Sequence, residues 1–235
     1  MGVSKLAGLV VLGAVAIHGI PTAFAQAPAP TVLEAQVQDA LQNCDQCHGP
    51  GGVSVIPSHP TIAGQKAEYV RRQLMAFKRA ISDAPAGADG DAGNANSTAR
   101  SNPVMEHMAS GLPDHLIGPV AETISQLACD GNVSKVPPAK TRTPPDAVAP
   151  CVMCHGVDGI GVQTYIPNLA GQQRSYLRRQ LLLIRETAWG AKPREGEAWR
   201  SHPIMEAQAA RLKIADIDAI ARYYTSLNCR GAGTE

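Results

Sequence analysis

The chain has 235 residues, which is enough for one large domain or two small ones. Its 21 lysines and arginines nearly balance its 20 aspartates and glutamates, so the formal charge of +1 excludes the broad basic surface that nucleic-acid binding requires. Aromatic residues make up only 4% of the chain, which is thin for the core of a small domain. A large apolar prosthetic group would fill such a deficit.

The N-terminal segment, residues 1–25, has the pattern of a secretory signal peptide. Lys5 precedes an apolar run at residues 6–20, and a small-x-small cleavage pattern ends at Ala25. A membrane anchor is the alternative, but Pro21 ends the run after about 15 residues, short of the ~20 that span a bilayer. We therefore predict cleavage after Ala25 and a periplasmic mature chain, in an oxidising compartment.

The rest of the chain consists of two similar halves. Three motifs recur at an offset of 107 residues: CxxCHG at 44–49 and 151–156, PxxAGQ at 60–65 and 167–172, and YxRRQL at 69–74 and 176–181. Segments 102–106 and 202–206, and Cys129 and Cys229, recur at an offset of 100 residues. The first half thus has seven additional residues in segment 83–102, whose Gly, Ala, Asp and Asn content predicts a flexible surface loop.

This repeat predicts two domains, residues 31–130 and 145–230, joined by a Pro-rich linker at residues 131–144. Apolar residues at helical spacing predict helices at 32–43, 68–80, 113–127, 173–186 and 214–227. Thr31 is a candidate N-cap for the first of them. No segment shows sustained period-two alternation, so the predicted fold class is all-α.

The CxxCH motif is the signature of covalent c-type haem attachment. In each copy two thiols, Cys44 and Cys47 or Cys151 and Cys154, can bond to the vinyl groups of one haem. The adjacent histidine, His48 or His155, can then ligate the iron. A redox dithiol would require a thioredoxin-like βαβ pattern, which is missing, and a zinc ribbon spaces its CxxC pairs about 15–20 residues apart. Two covalently bound haem c groups are therefore predicted.

The second axial ligand of each iron must come from elsewhere in the chain. Met105 and Met205 occupy equivalent positions in the two halves, which favours them over the usual role of methionine in core packing. Met108 is a weaker candidate because Gln208 stands at the equivalent position. The rival histidines of the first half have no equivalent histidine in the second; they are His59, His107 and His115.

Three further pairs of residues are candidates for contacts around the haems. Pro60 and Pro167 could present a backbone carbonyl to Nδ1–H of the ligating histidine, although each could also be an ordinary turn proline. Arg72 and Arg179, with the arginines that precede them, could pair with haem propionates or face solvent. Tyr69 and its equivalent Tyr176 could bond a propionate, contact the other domain or simply pack.

In these motifs the chain resembles the dihaem cytochrome c4 family, over most of residues 40–129 and 150–229. The resemblance implies two class I cytochrome c domains related by a pseudo-twofold axis, with His/Met ligation of both irons. It also implies electron carriage, from periplasmic dehydrogenases or a cytochrome complex to a terminal oxidase, without catalysis. Peripheral association with the inner membrane is compatible with this, and nucleic acid is not an expected partner.

Three readings of function stay open at this point. The first is a diffusing electron carrier, and the second is the cytochrome subunit of a flavin or quinoprotein dehydrogenase complex. The third is a dihaem enzyme, such as a thiosulfate dehydrogenase or a peroxidase, which would need one iron with a labile, Cys or His ligand.

Two features depart from the family pattern. The Pro-rich stretch before Cys151 predicts that the first helix of the second domain is short or missing. Cys129 and Cys229 are additional, and they could form a disulfide across the domain pair or stay as separate thiols.

Overall fold

The computed structural model describes residues 1–2, 30–81, 99–129, 143–192 and 194–229. The predicted signal peptide and most of the predicted linker lie outside the described residues. The first half contains α1 (Val32–His48), α2 (Ala67–Ile81), β1 (Ala99–Ser101), α3 (Pro103–Gly111) and α4 (Asp114–Gln126). The second half contains α5 (Ala149–His155), α6 (Arg174–Ala188), β2 (Trp199–Ser201), α7 (Pro203–Ala209) and α8 (Ile214–Thr225). The all-α prediction is confirmed, and no described helix is long and apolar enough to cross a membrane.

The first half is built on the contact of α1 with α4. Thr31 caps α1 as predicted: its hydroxyl accepts from the Glu34 amide, and the Glu34 carboxylate accepts from the Thr31 amide. The cap fixes where the helix begins, so its apolar stripe faces α4. The buried core of this half comprises Val37, Leu41, Val70, Leu116, Val120, Ala121 and Ile124.

The second half has a much shorter first helix, as predicted. A single 3₁₀ turn, Asp146–Val148, precedes α5. A longer helix cannot form here, because Pro145 ends it on the N-terminal side and Pro150, which has no N–H, stands in the first turn of α5. Val148, which is fully buried, packs against α8 in the way that α1 packs against α4 in the first half. The core here is richer in aromatic side chains, with Tyr223 and Tyr224 from α8.

A two-stranded antiparallel ribbon joins the two halves. β1 pairs with β2 so that Arg100 lies opposite Arg200, with Ala99 opposite Ser201. The prediction that segment 83–102 is entirely loop is therefore corrected at residues 99–101, while residues 82–98 lie outside the described part of the chain. Three residues are too short a strand for periodicity to reveal, and the pairing is between halves, so neither segment shows it alone.

The PxxAGQ segments of the two halves face each other across a pseudo-twofold axis. Gln172 pairs with both backbone groups of Thr61, and Gln65 pairs with both backbone groups of Asn168. Cys129 and Cys229 form a disulfide with a Cα–Cα distance of 5.9 Å, which resolves the alternative left open by the sequence. The halves are thus joined by hydrogen bonds, a ribbon and a covalent bridge.

Candidate haem-binding sites

The two CxxCH histidines have matching environments. His48 and His155 end α1 and α5, and both side chains are buried. Nδ1 of His48 lies 2.8 Å from the carbonyl oxygen of Pro60, and Nδ1 of His155 lies 3.1 Å from that of Pro167. A carbonyl can only accept, so Nδ1 carries the proton in each ring and donates it. The Nε2 atom is then the basic nitrogen, as a metal ligand must be.

Burial also keeps both rings neutral. It lowers the pKa of His48, and the accepting Pro60 carbonyl opposes this only in part. For His155, burial is again the largest cause, and the nearby charges of Arg200 and His202 add to it, so the pKa falls to about 4. A neutral imidazole at physiological pH can offer its lone pair to iron without first losing a proton.

The four CxxCH cysteines are half-buried and form no disulfide, in contrast to the bridged Cys129 and Cys229. Burial is the main cause that raises the pKa of both Cys44 and Cys151. A raised thiol pKa is the opposite of what a redox dithiol requires, because the reactive species of such a pair is the thiolate. Within each motif the thiols are three residues apart on a helix, so they lie on one face, as two bonds to a single flat group require.

Met105 and Met205 lie in the first turn of α3 and α7, two short helices that the sequence did not predict. Both are half-buried. Among the rivals, Met108 is 41% exposed. His107 and His115 are also exposed, and His59 is half-buried beside the hydroxyl of Ser58, 3.1 Å from its Nδ1.

The structure brings forward two residues that the sequence analysis did not select, Arg100 and Arg200. Both are only 9% exposed, and they are directly opposite each other in the ribbon. Among the described residues no carboxylate lies within 4 Å of either guanidinium; their partners are neutral: Gln73 and Gln180 for Arg100, and Gln180 and Tyr69 for Arg200. Burial of two cations without an anion costs free energy, so we expect a negatively charged group beside them.

Unpartnered hydrogen-bond donors surround the same place. Near the ribbon, three buried N–H donors have no acceptor: Nε of Arg100, Nε of Arg200 and Nε1 of Trp199. Nδ1 of His202 is also buried without a partner. Each such atom costs about 1–3 kcal/mol if it stays unsatisfied. The two carboxylates of a haem would supply acceptors, so the residues present fit the group that CxxCH implies. The repeat contained the signal: the two arginines sit at the same 100-residue offset as the methionines.

The two arginines predicted from the sequence, Arg72 and Arg179, lie in different environments from Arg100 and Arg200. Nε of Arg72 lies 2.6 Å from Glu68, and its guanidinium stacks 5.2 Å from the centre of the Tyr165 ring. Arg179 is exposed. Tyr69 contacts the other domain, where its hydroxyl accepts from Arg200 at 3.2 Å.

Tyr176 responds to the buried cations. Burial raises the pKa of its hydroxyl, but the charges of Arg100 and Arg200 outweigh this, so the pKa is lowered overall. The positive charges of the two arginines therefore favour the ionised form of the Tyr176 hydroxyl.

The chain is similar to several known proteins. The cytochrome c family profile matches residues 147–228. Cytochrome c4 of Thiocapsa roseopersicina is 29% identical over 86% of this chain and 97% of its own length. The thiosulfate dehydrogenase electron acceptor of Stutzerimonas stutzeri is 28% identical over 83% of each chain. Cytochrome c-554(548) of Halomonas halodenitrificans is 36% identical over 34% of this chain and 88% of its own length.

A solved structure agrees with these relatives. Reduced recombinant cytochrome c4 from Pseudomonas stutzeri superposes with a TM-score of 0.61 and 26% identity, covering 83% of this chain and 98% of that one. With two CxxCH motifs and two matching histidine environments, this chain belongs to the cytochrome c family, is similar over most of its length to dihaem cytochromes c4, and binds haem c covalently.

Proposed function

We propose that this protein is a periplasmic cytochrome that passes single electrons from a dehydrogenase or membrane complex to a terminal acceptor. The observation that carries the proposal is the pair of equivalent, neutral, buried histidines, each held by a proline carbonyl. The proposal assigns haem attachment to Cys44, Cys47, Cys151 and Cys154, and places the domains at residues 31–130 and 145–230. The predicted signal peptide would direct export.

In this proposal His48 and Met105 ligate one iron, and His155 and Met205 ligate the other. The haem supplies a Fe(II)/Fe(III) couple, and thioether ligation raises its potential. The chain's own contribution is to fix both ligands: the proline carbonyls orient the imidazoles, and the first turn of α3 or α7 presents the methionine. Two protein ligands leave no position for a substrate on either iron, which favours electron transfer over catalysis.

Arg100 and Arg200 join Arg72 and Arg179 as our candidates for the propionate contacts. Their burial and unpartnered Nε atoms support this role, whereas Arg179 is exposed. Buried positive charge near an iron disfavours its oxidised, more positive state, so these residues are expected to raise the potential.

The two sites are not identical, so unequal potentials are expected. Trp199 and His202 of the second half stand where the first half has Ala99 and Asn102. The second site therefore has an indole N–H where the first has only a methyl group, and this N–H is unpartnered in the described structure.

A pyridine haemochrome spectrum with an intact mass tests the proposal. Two c-type haems on a chain that starts at Gln26 are the expected result. One haem, or none, would contradict the central assignment. Ready binding of carbon monoxide or cyanide by the native protein would contradict two protein ligands per iron and favour the dihaem enzyme.

A second candidate is the electron acceptor of a thiosulfate-oxidising enzyme. The relative of that name in Stutzerimonas stutzeri supports it, because the match covers 83% of both chains. The test is reduction of the cytochrome, followed by absorbance. Thiosulfate alone should leave it oxidised, and thiosulfate with a thiosulfate dehydrogenase should reduce it within the turnover time of that enzyme. Reduction by thiosulfate alone would instead indicate that this chain is itself the enzyme.

A further inference from the structure

Each half holds one peptide bond that contacts both its own histidine and the other half. The peptide between Pro60 and Thr61 accepts from His48 through its carbonyl, at 2.8 Å, and donates through its N–H to Oε1 of Gln172, at 2.9 Å. Gln172 belongs to the second half. The two hydrogen bonds therefore lie at opposite ends of one planar, conjugated group.

The second half repeats this arrangement in the opposite direction. The peptide between Pro167 and Asn168 accepts from His155 at 3.1 Å and donates to Oε1 of Gln65 at 2.9 Å. Each histidine is thus connected, through one peptide, to a glutamine of the other half. Both glutamine side chains are buried.

The orientation of each glutamine amide is fixed by its neighbours. Oε1 of Gln172 accepts from the amides of both Thr61 and Gln173, while Nε2 donates to the Thr61 carbonyl. Exchange of the two side-chain atoms would place a donor against two N–H groups, which is unfavourable. Gln65 makes the same three bonds, to Asn168 and Lys66.

We propose that Gln65 and Gln172 are positioning residues that set the redox potential of the haem in the opposite half. An acceptor on the N–H polarises the peptide, so that its carbonyl accepts more strongly from the histidine Nδ1–H. The imidazole then gains basicity and stabilises oxidised iron better. Removal of the glutamine acceptor raises the potential of the haem across the interface. This inference rests on the histidine ligation proposed above.

The test is Gln172→Met in the holoprotein, with a spectroelectrochemical titration that resolves two one-electron steps. Each step is assigned to its haem by the NMR signal of the ligating methionine methyl group. Polarisation strengthens a neighbouring hydrogen bond by roughly 10–30%, so we expect on the order of a threefold shift toward reduced haem in the first half. That is about 28 mV, at 59 mV per tenfold change for one electron. The haem of the second half should keep its potential, and Gln65→Met should give the opposite pattern.

Gln173→Met is the matched control. Gln173 follows Gln172 directly and also bonds the other half, from Nε2 to the Ser54 carbonyl at 2.5 Å, but that peptide does not contact a histidine. It should shift neither potential. Gln172→Glu keeps an oxygen acceptor and adds charge, so it should lower the potential of the first haem. Amide hydrogen exchange at Thr61 should accelerate in Gln172→Met only.

The outcomes separate this inference from the proposed function. Unchanged potentials in Gln172→Met, equal shifts of both haems, or an equal shift in Gln173→Met would overturn the role of the glutamines while two redox steps persist. Loss of one redox step in the wild type would instead overturn the proposed ligation. If Gln172→Met does not fold, the potentials of Gln172→Glu and Gln65→Met test the role of the glutamines instead.

Discussion

The disulfide between Cys129 and Cys229 joins the end of α4 to the end of α8, and its removal has a calculable cost. The bridge closes a loop of 100 residues, almost the whole second half. Loop closure on that scale reduces the entropy of the unfolded chain by an amount worth about 4.7 kcal/mol at 25 °C. Covalent haems do not shorten this loop, because each attaches within a four-residue motif. We therefore expect Cys129→Ser with Cys229→Ser to lower the free energy of unfolding by up to about 4.7 kcal/mol.

The assay is guanidinium unfolding of the holoprotein followed by far-ultraviolet circular dichroism. The wild type with reductant is the matched control: its midpoint should fall to that of the double variant, which reductant should not change. A thiol titration of denatured wild type should find no free thiol before reduction and two after it, since the other four cysteines carry haem. A loss below about 1 kcal/mol, or a wild type indifferent to reductant, would refute the entropic reasoning.

Three further outcomes follow from the site and the fold. Met105→His and Met205→His should each remove about half of the weak red absorption band of sulfur on ferric iron; a band unchanged in both variants would refute the ligand assignment. Hydrogen bonds and charge from the arginines after Glu68 lower its carboxyl pKa from 4.5 to about 2. The stability that this pairing adds is present above pH 4.5 and is lost as the pH falls toward 2, so Glu68→Gln should cost about 0.5–1 kcal/mol at pH 7 and almost nothing at pH 2, in urea titrations at both pH values. Gly171→Ala should destabilise by about 1–3 kcal/mol in the same assay, because φ is +70° and the new Cβ would lie 2.8 Å from Cβ of Cys229; an unchanged midpoint would show that the interface relaxes freely.

Features with a local cause could be predicted from the sequence. Thr31 caps α1 because a hydroxyl followed three residues later by a carboxylate forms reciprocal bonds within one turn. The shortened α5 follows from the prolines that precede it, and the proline–histidine bonds follow from the repeat. These effects act over a few residues or are duplicated at a fixed offset.

Features that depend on the other half could not be predicted in this way. Arg100 carries no sequence signal of burial, because the contacts that bury it come from the ribbon and from the Phe77 ring, 4.3 Å from its guanidinium. Gln172 is part of a recognisable motif, yet its partner, Thr61, is 111 residues away in sequence. The helices that hold the two methionines are nine and seven residues long, too short for a periodic pattern to be reliable.

The ribbon formed by β1 and β2 has a consequence for attempts to separate the halves. In the isolated first half, the three residues of β1 would have no pairing partner, and Arg100 would be more exposed to water. Such an edge invites pairing with a second copy. Expression of residues 31–130 alone should therefore yield dimers that rebuild the ribbon between two chains.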